Sequence, residues 1–390
     1  MRRGDLERRL LDFVNRTLLA SDPARTAHED TGLFEEGIVT SLRILDLIAF
    51  VEKETRVKVP DEAVRLANFR SVRAIAAAFG EDGEVAGGAG RAAAIASFER
   101  RAERTFATPI AELEARGELE LVAPGRAVFR GAPLRLLRHF DSVALGWAED
   151  LDALEPSYPE HLPRETLRRA GYAGDSAPDD PILPPAVCYH VYAAWEGKRL
   201  GDRPVILTAR GRCFRSEPGQ SVSLERLREF EMREIVTLGP HVEVERFRQL
   251  LMEKVSDLVR ALDLDGRVEG ASDPFFLGTA EAPVSLVGPP YARGRRLMQQ
   301  VLPLKYELRL VLDESGRTCA VASFNHHLDF FGRRFDIRLA SEDNAHSGCV
   351  AFGLERWVLA FLSQHGTDER NWPDPVRDLG ARKEEHEPRA

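Results

Sequence analysis

Cys213-Phe214-Arg215-Ser216-Glu217-Pro218, a polar loop, and then Arg226-Leu227-Arg228-Glu229-Phe230-Glu231-Met232-Arg233-Glu234 read as strand, loop and strand. Side chains on a strand alternate faces, so Arg215 and Glu217 share a face with Cys213, and Phe230 shares one with Glu234. That chemistry suits a nucleotide. A guanidinium neutralises a phosphate and the charge that develops in an in-line displacement, an aromatic ring stacks on adenine, and a carboxylate orients the base or a bound cation. Taken alone, the same residues also describe a charged, solvated hairpin.

Further along, His346-Ser347-Gly348-Cys349-Val350-Ala351-Phe352-Gly353-Leu354-Glu355-Arg356 reads as the opening of a long helix over 350–365. Glycine there permits close backbone approach to a ligand, and Arg356 is placed to grip terminal phosphates. By itself the segment is also an ordinary Glu-Arg pair on a helix. Around these two arrangements, residues 205–207, 213–217, 230–238, 306–312 and 320–324 are strand-like, and 242–264 has an amphipathic helical period. Strands that follow one another without intervening helices predict an antiparallel sheet with helices packed outside it, an α+β fold.

The first 80 residues carry a different pattern. Leu6, Leu10, Phe13, Val14 and Leu18 recur at helical spacing, as do Leu42, Leu45, Ile48 and Ala49, and then Val72, Ile75, Ala76 and Phe79. Ser41 precedes the second of these runs, where serine favours the helix N-cap. Residues 81–91 mix charge with glycine and have no apolar period, which predicts a flexible linker between 1–80 and 92–375. The polar, proline-bearing residues 376–390 are expected to be disordered.

A chain of 390 residues predicts two or three domains, and no stretch approaches the twenty apolar residues of a membrane helix. The N-terminus has no secretory pattern, so a cytoplasmic location is expected. Four cysteines with no C-x-x-C pairing exclude a disulfide framework and a zinc ribbon. A net charge of -9 without a basic run gives no footprint for a polyanion such as tRNA.

The segment from Gly32 to Leu42, with Leu45, Ile48, Val51-Glu52, Val57, Val59-Pro60-Asp61 and Glu62, resembles acyl and peptidyl carrier proteins. That resemblance implies a four-helix carrier domain in which Ser41 bears 4'-phosphopantetheine, with a phosphopantetheinyl transferase as partner. Thr40 stands where the family usually has aspartate.

The strand-loop-strand and the segment ending in Arg356 resemble motifs 2 and 3 of class II aminoacyl-tRNA synthetases, and residues 139–163 are a looser counterpart of motif 1. Within that class the chain looks like the truncated relatives of zinc-dependent seryl-tRNA synthetases known as amino acid:[carrier protein] ligases. Val187-Cys188-Tyr189-His190, Met232-Arg233-Glu234, Asp273-Pro274-Phe275-Phe276, Lys305-Tyr306-Glu307, Ser323-Phe324-Asn325-His326-His327 and Cys349 to Arg356 carry the likeness.

The resemblance implies Zn2+ held by Cys188, Glu234 and Cys349, with an open fourth position for a substrate amino group. It further implies ATP and Mg2+ held by Arg215, Glu217, Arg226, Phe230, Glu307 and Arg356, with Arg215 and Arg356 catalytic. Cys213 and Cys319 are read as core residues. The expected activity is ATP-dependent activation of glycine, alanine or serine and its transfer to a carrier thiol, in a homodimer serving natural-product biosynthesis. The alternatives are a tRNA-aminoacylating enzyme and a non-catalytic amino-acid-binding paralogue.

Overall fold

The computed structural model describes residues 1–20, 25–34, 36, 38–39, 43–60, 63–81, 83, 94–101, 106–171, 183–201, 203–215, 223–271, 304–377 and 379. The chain divides into two compact units, one built on Met1–Ala93 with Ala271–Phe275 and Glu281–Leu304, the other on Ala94–Gly270, Phe276–Ala280 and Lys305–Ala390.

The first unit is helical, with α1 (Arg3–Phe13), a π turn (Val14–Leu18), α2 (Arg43–Thr55), α3 (Leu66–Phe69) and α4 (Val72–Phe79). Its core gathers Leu6, Leu10, Ile44, Leu47, Val51, Phe69 and Ile75, so the apolar stripes seen in the sequence face one another. Ser71 caps α4 by accepting the Ala74 N–H at 3.2 Å. Asn15 fixes the loop after the π turn by bonding both backbone groups of Ala27, at 2.8 and 3.1 Å.

The second unit is an α+β fold. It contains β1 (Ala94–Phe98), α5 (Pro109–Ala115), a hairpin of β2 (Leu119–Ala123) and β3 (Arg126–Phe129), α6 (Gly131–Glu149), α7 (Arg164–Arg169) and α8 (Cys188–Ala194). These are followed by β4 (Val205–Phe214), β5 (Glu229–Gly239), α9 (His241–Ala261), β6 (Gly266–Gly270), β7 (Lys305–Val311) and β8 (Thr318–Leu328). The last elements among the described residues are α10 (Phe330–Arg334), β9 (His346–Gly353), α11 (Leu354–His365) and α12 (Asp374–Arg377). Among the described residues seven strands form one sheet in the order β1-β6-β7-β8-β9-β5-β4, and each of their pairings is antiparallel.

Strand alternation gives this sheet two unlike faces. Ile235, Val350, Phe352 and Phe324 point to the side covered by α6, α9 and α11, where Phe140, Phe247, Leu251, Trp357 and Phe361 complete the main core. A buried ion pair ties α6 to that side: Arg233 bonds Asp141 at 2.6 Å and Glu155 at 2.6 Å. The other face carries Cys213, Phe230, Met232, Glu234, Cys349 and Ala351, each in register with a neighbour on the same side.

Several sequence expectations need correction. Residues 346–353 are a strand, and the helix expected from 350 starts at Leu354. The run Cys349-Val350-Ala351-Phe352 is buried on both faces, so it has no helical stripe to distinguish it. The separate strands expected at 205–207 and 213–217 are one strand, β4, ending at Phe214. The tail expected to be disordered from 376 begins inside α12, where Val376 is fully buried. Ser41, Glu217, the 273–276 segment and most of the 81–91 linker lie outside the described residues.

Candidate active site

Cys188 begins α8, Glu234 lies in the middle of β5 and Cys349 in the middle of β9. Their sulfur and carboxylate atoms come within 4.8 Å of one another, and all three residues are buried. Glu234 is oriented by two backbone donors from the start of α8, Val187 N–H at 2.9 Å and Cys188 N–H at 3.2 Å. A hydrogen bond to Cys349, then burial, raises the Cys188 thiol well above its usual range. Burial raises Glu234, and it raises Cys349 against the opposing Cys188 hydrogen bond. Packing three acids together in low dielectric favours their protonated forms; a cation among them would favour the ionised ones. Two thiols and a carboxylate are a zinc-type donor set with one tetrahedral position left over, so these residues fit the ion that the family resemblance implies.

A second layer surrounds this cluster. Asn325 Nδ2 donates to the Cys349 sulfur at 3.3 Å and to Ser323 Oγ at 3.0 Å. His327 sits with Nε2 3.8 Å from the same sulfur, and its Nδ1 lies 3.1 Å from the Tyr192 hydroxyl and 3.3 Å from Ser347 Oγ. Tyr192 is fixed by stacking on Phe331, with ring centroids 3.7 Å apart. A register shift in β8 between His326 and Leu328 ends the regular alternation there, and bulges commonly re-aim side chains beside sites.

On the same sheet face lies a cavity of about 110 Å3 lined by Arg215, Phe230, Lys305, Glu307, Glu355 and Arg356 among others. Arg215 donates to Pro185 O at 3.0 Å, and its guanidinium carbon stands 5.2 Å from the Phe230 ring centroid. Arg356 donates to Glu225 O at 2.8 Å and Ala320 O at 3.1 Å. Burial lowers its pKa, and the charges of Arg215 and Arg226 lower it further, so three cations converge on one region. Such a concentration of positive charge calls for a polyanion.

Glu307 stays ionised: burial alone would raise it, but Lys305 at 2.8 Å and Arg309 at 3.0 Å bring it below the usual range. Glu355 accepts the Glu231 N–H with both oxygens, at 2.9 and 3.1 Å, and burial pushes it up to about 7.

The structure therefore brings Cys188, Glu234 and Cys349 together, and separately gathers Arg215, Phe230, Glu307 and Arg356 around one cavity, with Arg226 close enough to act on Arg356. Met232 and Ala351, which line the cavity, each alternate along their strands with a member of the first cluster. Cys213 and Cys319 are buried among apolar neighbours, outside the first cluster. Ser41 and Glu217 cannot be placed, because they lie outside the described residues. Four residues had no role in the sequence reading: Glu355, Asn325, His327 and Lys305. A strand assignment for 346–353 would have aligned Cys349 with Asn325 and exposed that neighbour.

Residues 175–365 match the tRNA synthetase class II core domain (G, H, P, S and T). Two relatives are amino acid-[acyl-carrier-protein] ligases 1 and 2 of Bradyrhizobium diazoefficiens. They are 39% and 36% identical over 205 and 206 residues, each match covering 52% of this chain. The chain spans 58% and 57% of those two proteins' own length. Among solved structures, M. kandleri SerRS in complex with A. aeolicus tRNASec superposes with a TM-score of 0.62 at 22% identity, covering 75% of this chain and 63% of that one. The class II core and the seven-stranded antiparallel sheet thus agree on fold. No helix among the described residues is long and apolar enough to cross a membrane.

Proposed function

We propose that the chain activates a small amino acid, glycine, alanine or serine, as its aminoacyl adenylate and transfers it to the phosphopantetheine thiol of a carrier protein. The observation that carries this reading is the placement of the Cys188, Glu234 and Cys349 cluster on the same sheet face as the arginine-lined cavity. One end of that face is built for an amino group and the other for phosphates. The names of the two Bradyrhizobium relatives support the carrier as acceptor.

In the first half-reaction a substrate carboxylate oxygen bonds to the α-phosphorus of ATP, the bond from that phosphorus to the bridging oxygen breaks, and pyrophosphate leaves. The carboxylate is already the nucleophile, so positioning and charge stabilisation suffice. Arg215 neutralises the charge gathering on the α-phosphate, and its stacking partner Phe230 offers a face to adenine. Arg356 and Arg226 hold the departing pyrophosphate, with Mg2+ as counterion. Glu307, kept anionic by Lys305 and Arg309, is available to a ribose hydroxyl or the metal. Glu217 is assigned to adenine. Cys188, Glu234 and Cys349 would hold Zn2+, which supplies a Lewis-acidic position for a free amino group and so selects amino acids over hydroxy acids.

In the second half-reaction the carrier thiol attacks the mixed anhydride carbonyl, a thioester forms, and AMP leaves. Residues 1–80 are proposed as that carrier, with Ser41 as the attachment point, and loading in cis benefits from a high effective concentration. Transfer across a homodimer uses the same chemistry. The test is to convert the full chain to its holo form, supply Mg-ATP and single amino acids, and measure intact mass. A gain of one aminoacyl group that disappears in Ser41→Ala establishes the reaction and names the substrate. Pyrophosphate release without a mass gain moves the acceptor to a separate carrier or to tRNA; no amino-acid-dependent release at all defeats the enzymatic reading.

A further inference from the structure

The opposite face of the sheet carries a second cluster that the proposed reaction does not use. His241 is the first residue of α9, His326 lies near the end of β8, and His346 begins β9. Their ring nitrogens come within 4.8 Å of one another. The ring centroids form a closed triangle with sides of 4.8, 5.1 and 5.8 Å. His326 pairs in register with Gly348, not with Cys349, so it points away from the cysteine cluster. Gly348 also explains the approach of α9: a Cβ there would meet Val244 Cγ1 at 2.9 Å, so the missing side chain lets the helix start settle onto the strands.

Two further observations point to a ligand. His326 Nε2 and His346 Nδ1 are both buried and have no hydrogen-bond partner among the described residues. Leaving such groups unsatisfied costs stability, so a fold that aims two of them into one space has a use for them or is weakened by them. His241 is exposed, so one edge of the cluster lies at the surface.

We propose that His241, His326 and His346 form a second metal site, for a divalent late first-row transition ion such as zinc or nickel, bound by three imidazoles. Imidazole suits these ions, and three nitrogens leave a fourth position for water. A tetrahedral zinc with bonds of ~2.0–2.1 Å needs nitrogens ~3.3 Å apart, so the rings must close in. Exposed His241 can supply that movement. Burial holds the other two rings neutral, as ligation requires, with His326 pushed down to about 2 and His346 to about 4. Arg248 also acts on His326, and its charge is balanced by Glu245 at 2.8 Å.

The proton balance is specific. Leu328 N–H donates to His326 Nδ1 at 3.0 Å, so in the free protein the ring proton sits on Nε2. Ion binding at Nε2 moves that proton to Nδ1, releases no net proton, and gives up the Leu328 hydrogen bond. One lost hydrogen bond is small beside the binding free energy of a structural zinc site.

The test uses the full chain stripped by chelator and titrated with ZnCl2, with stoichiometry read by native mass spectrometry. Two ions are expected for the unaltered chain, one for His241→Ala and one for Cys188→Ser. Cobalt(II) separates the two: sulfur-to-cobalt charge-transfer absorption survives in His241→Ala and is lost in Cys188→Ser, which keeps weak d–d bands. His346→Ala is the second variant, with unchanged circular dichroism as its folding control. A single ion lost in Cys188→Ser, with both histidine variants binding as before, overturns this proposal and leaves the catalytic reading intact. A single ion lost in His241→Ala upholds it and removes zinc from the cysteine cluster.

Discussion

The Asn325 side-chain amide donates to the Cys349 sulfur at 3.3 Å, while its own carbonyl oxygen is buried with no hydrogen-bond partner among the described residues. A donor to a thiolate orients it and tunes its hold on a metal. Asn325→Ala is expected to weaken zinc binding by about 10–100-fold, measured by competition with a chromophoric chelator. Unchanged affinity would assign Asn325 to packing alone.

Arg215, just past the end of β4, and Arg356, in α11, line one cavity. Replacing either by alanine is expected to lower amino-acid-dependent ATP–pyrophosphate exchange by about 10^2-fold or more, the size seen when a single donor to a developing charge is removed. Because exchange reports the first half-reaction only, Ser41→Ala should leave it within twofold of the unaltered chain, roughly 0.4 kcal/mol at most.

Glu355 gives a pH signature. Its carboxyl is raised from 4.5 to about 7 by burial, so the folded state binds the proton more tightly than the unfolded state. Stability from this group is complete below about 4.5 and is lost as pH rises through 7, by up to about 3 kcal/mol. Thermal melting of the unaltered chain should fall more steeply between pH 5 and 7.5 than that of Glu355→Gln, which keeps an acceptor for Glu231 N–H. Parallel curves would show that Glu355 is ionised throughout.

The Arg233–Asp141 pair ties α6 to β5 away from solvent. Arg233→Ala removes the buried partner of Asp141, which keeps Arg210 at 3.1 Å, and is expected to cost about 1–3 kcal/mol in chemical denaturation. Asp141→Asn with Arg233→Met removes both charges, and it should recover a large part of that loss.

The strand-loop-strand around Arg215 and Phe230 is legible where Glu229-Phe230-Glu231-Met232 alternates charged and apolar residues, whereas β4, with no such alternation along the whole of Val205 to Phe214, reads as two strands instead of one. β9 is hidden for another reason. Cys349 to Phe352 is buried on both sides, so its period is silent and the nearby Gly-Leu-Glu-Arg suggested a helix too early. The cysteine cluster was reached through family resemblance, since residues 188, 234 and 349 share no local spacing. The histidine triangle had no local signal: residues 241, 326 and 346 lie far apart in the chain and share no spacing.

β9 runs into α11 with no connecting loop, Gly353 ending the strand and capping the helix. Cys349 and Arg356 are therefore marks on one continuous rule. On the proposed reading, the reach from a substrate's amino nitrogen to the departing pyrophosphate is gauged by backbone, not by a segment that can adjust. On that reading β-alanine, longer by one methylene than an α-amino acid, is expected to support less pyrophosphate exchange than alanine does. Chain length between amine and carboxylate would then be screened even where side-chain size is not.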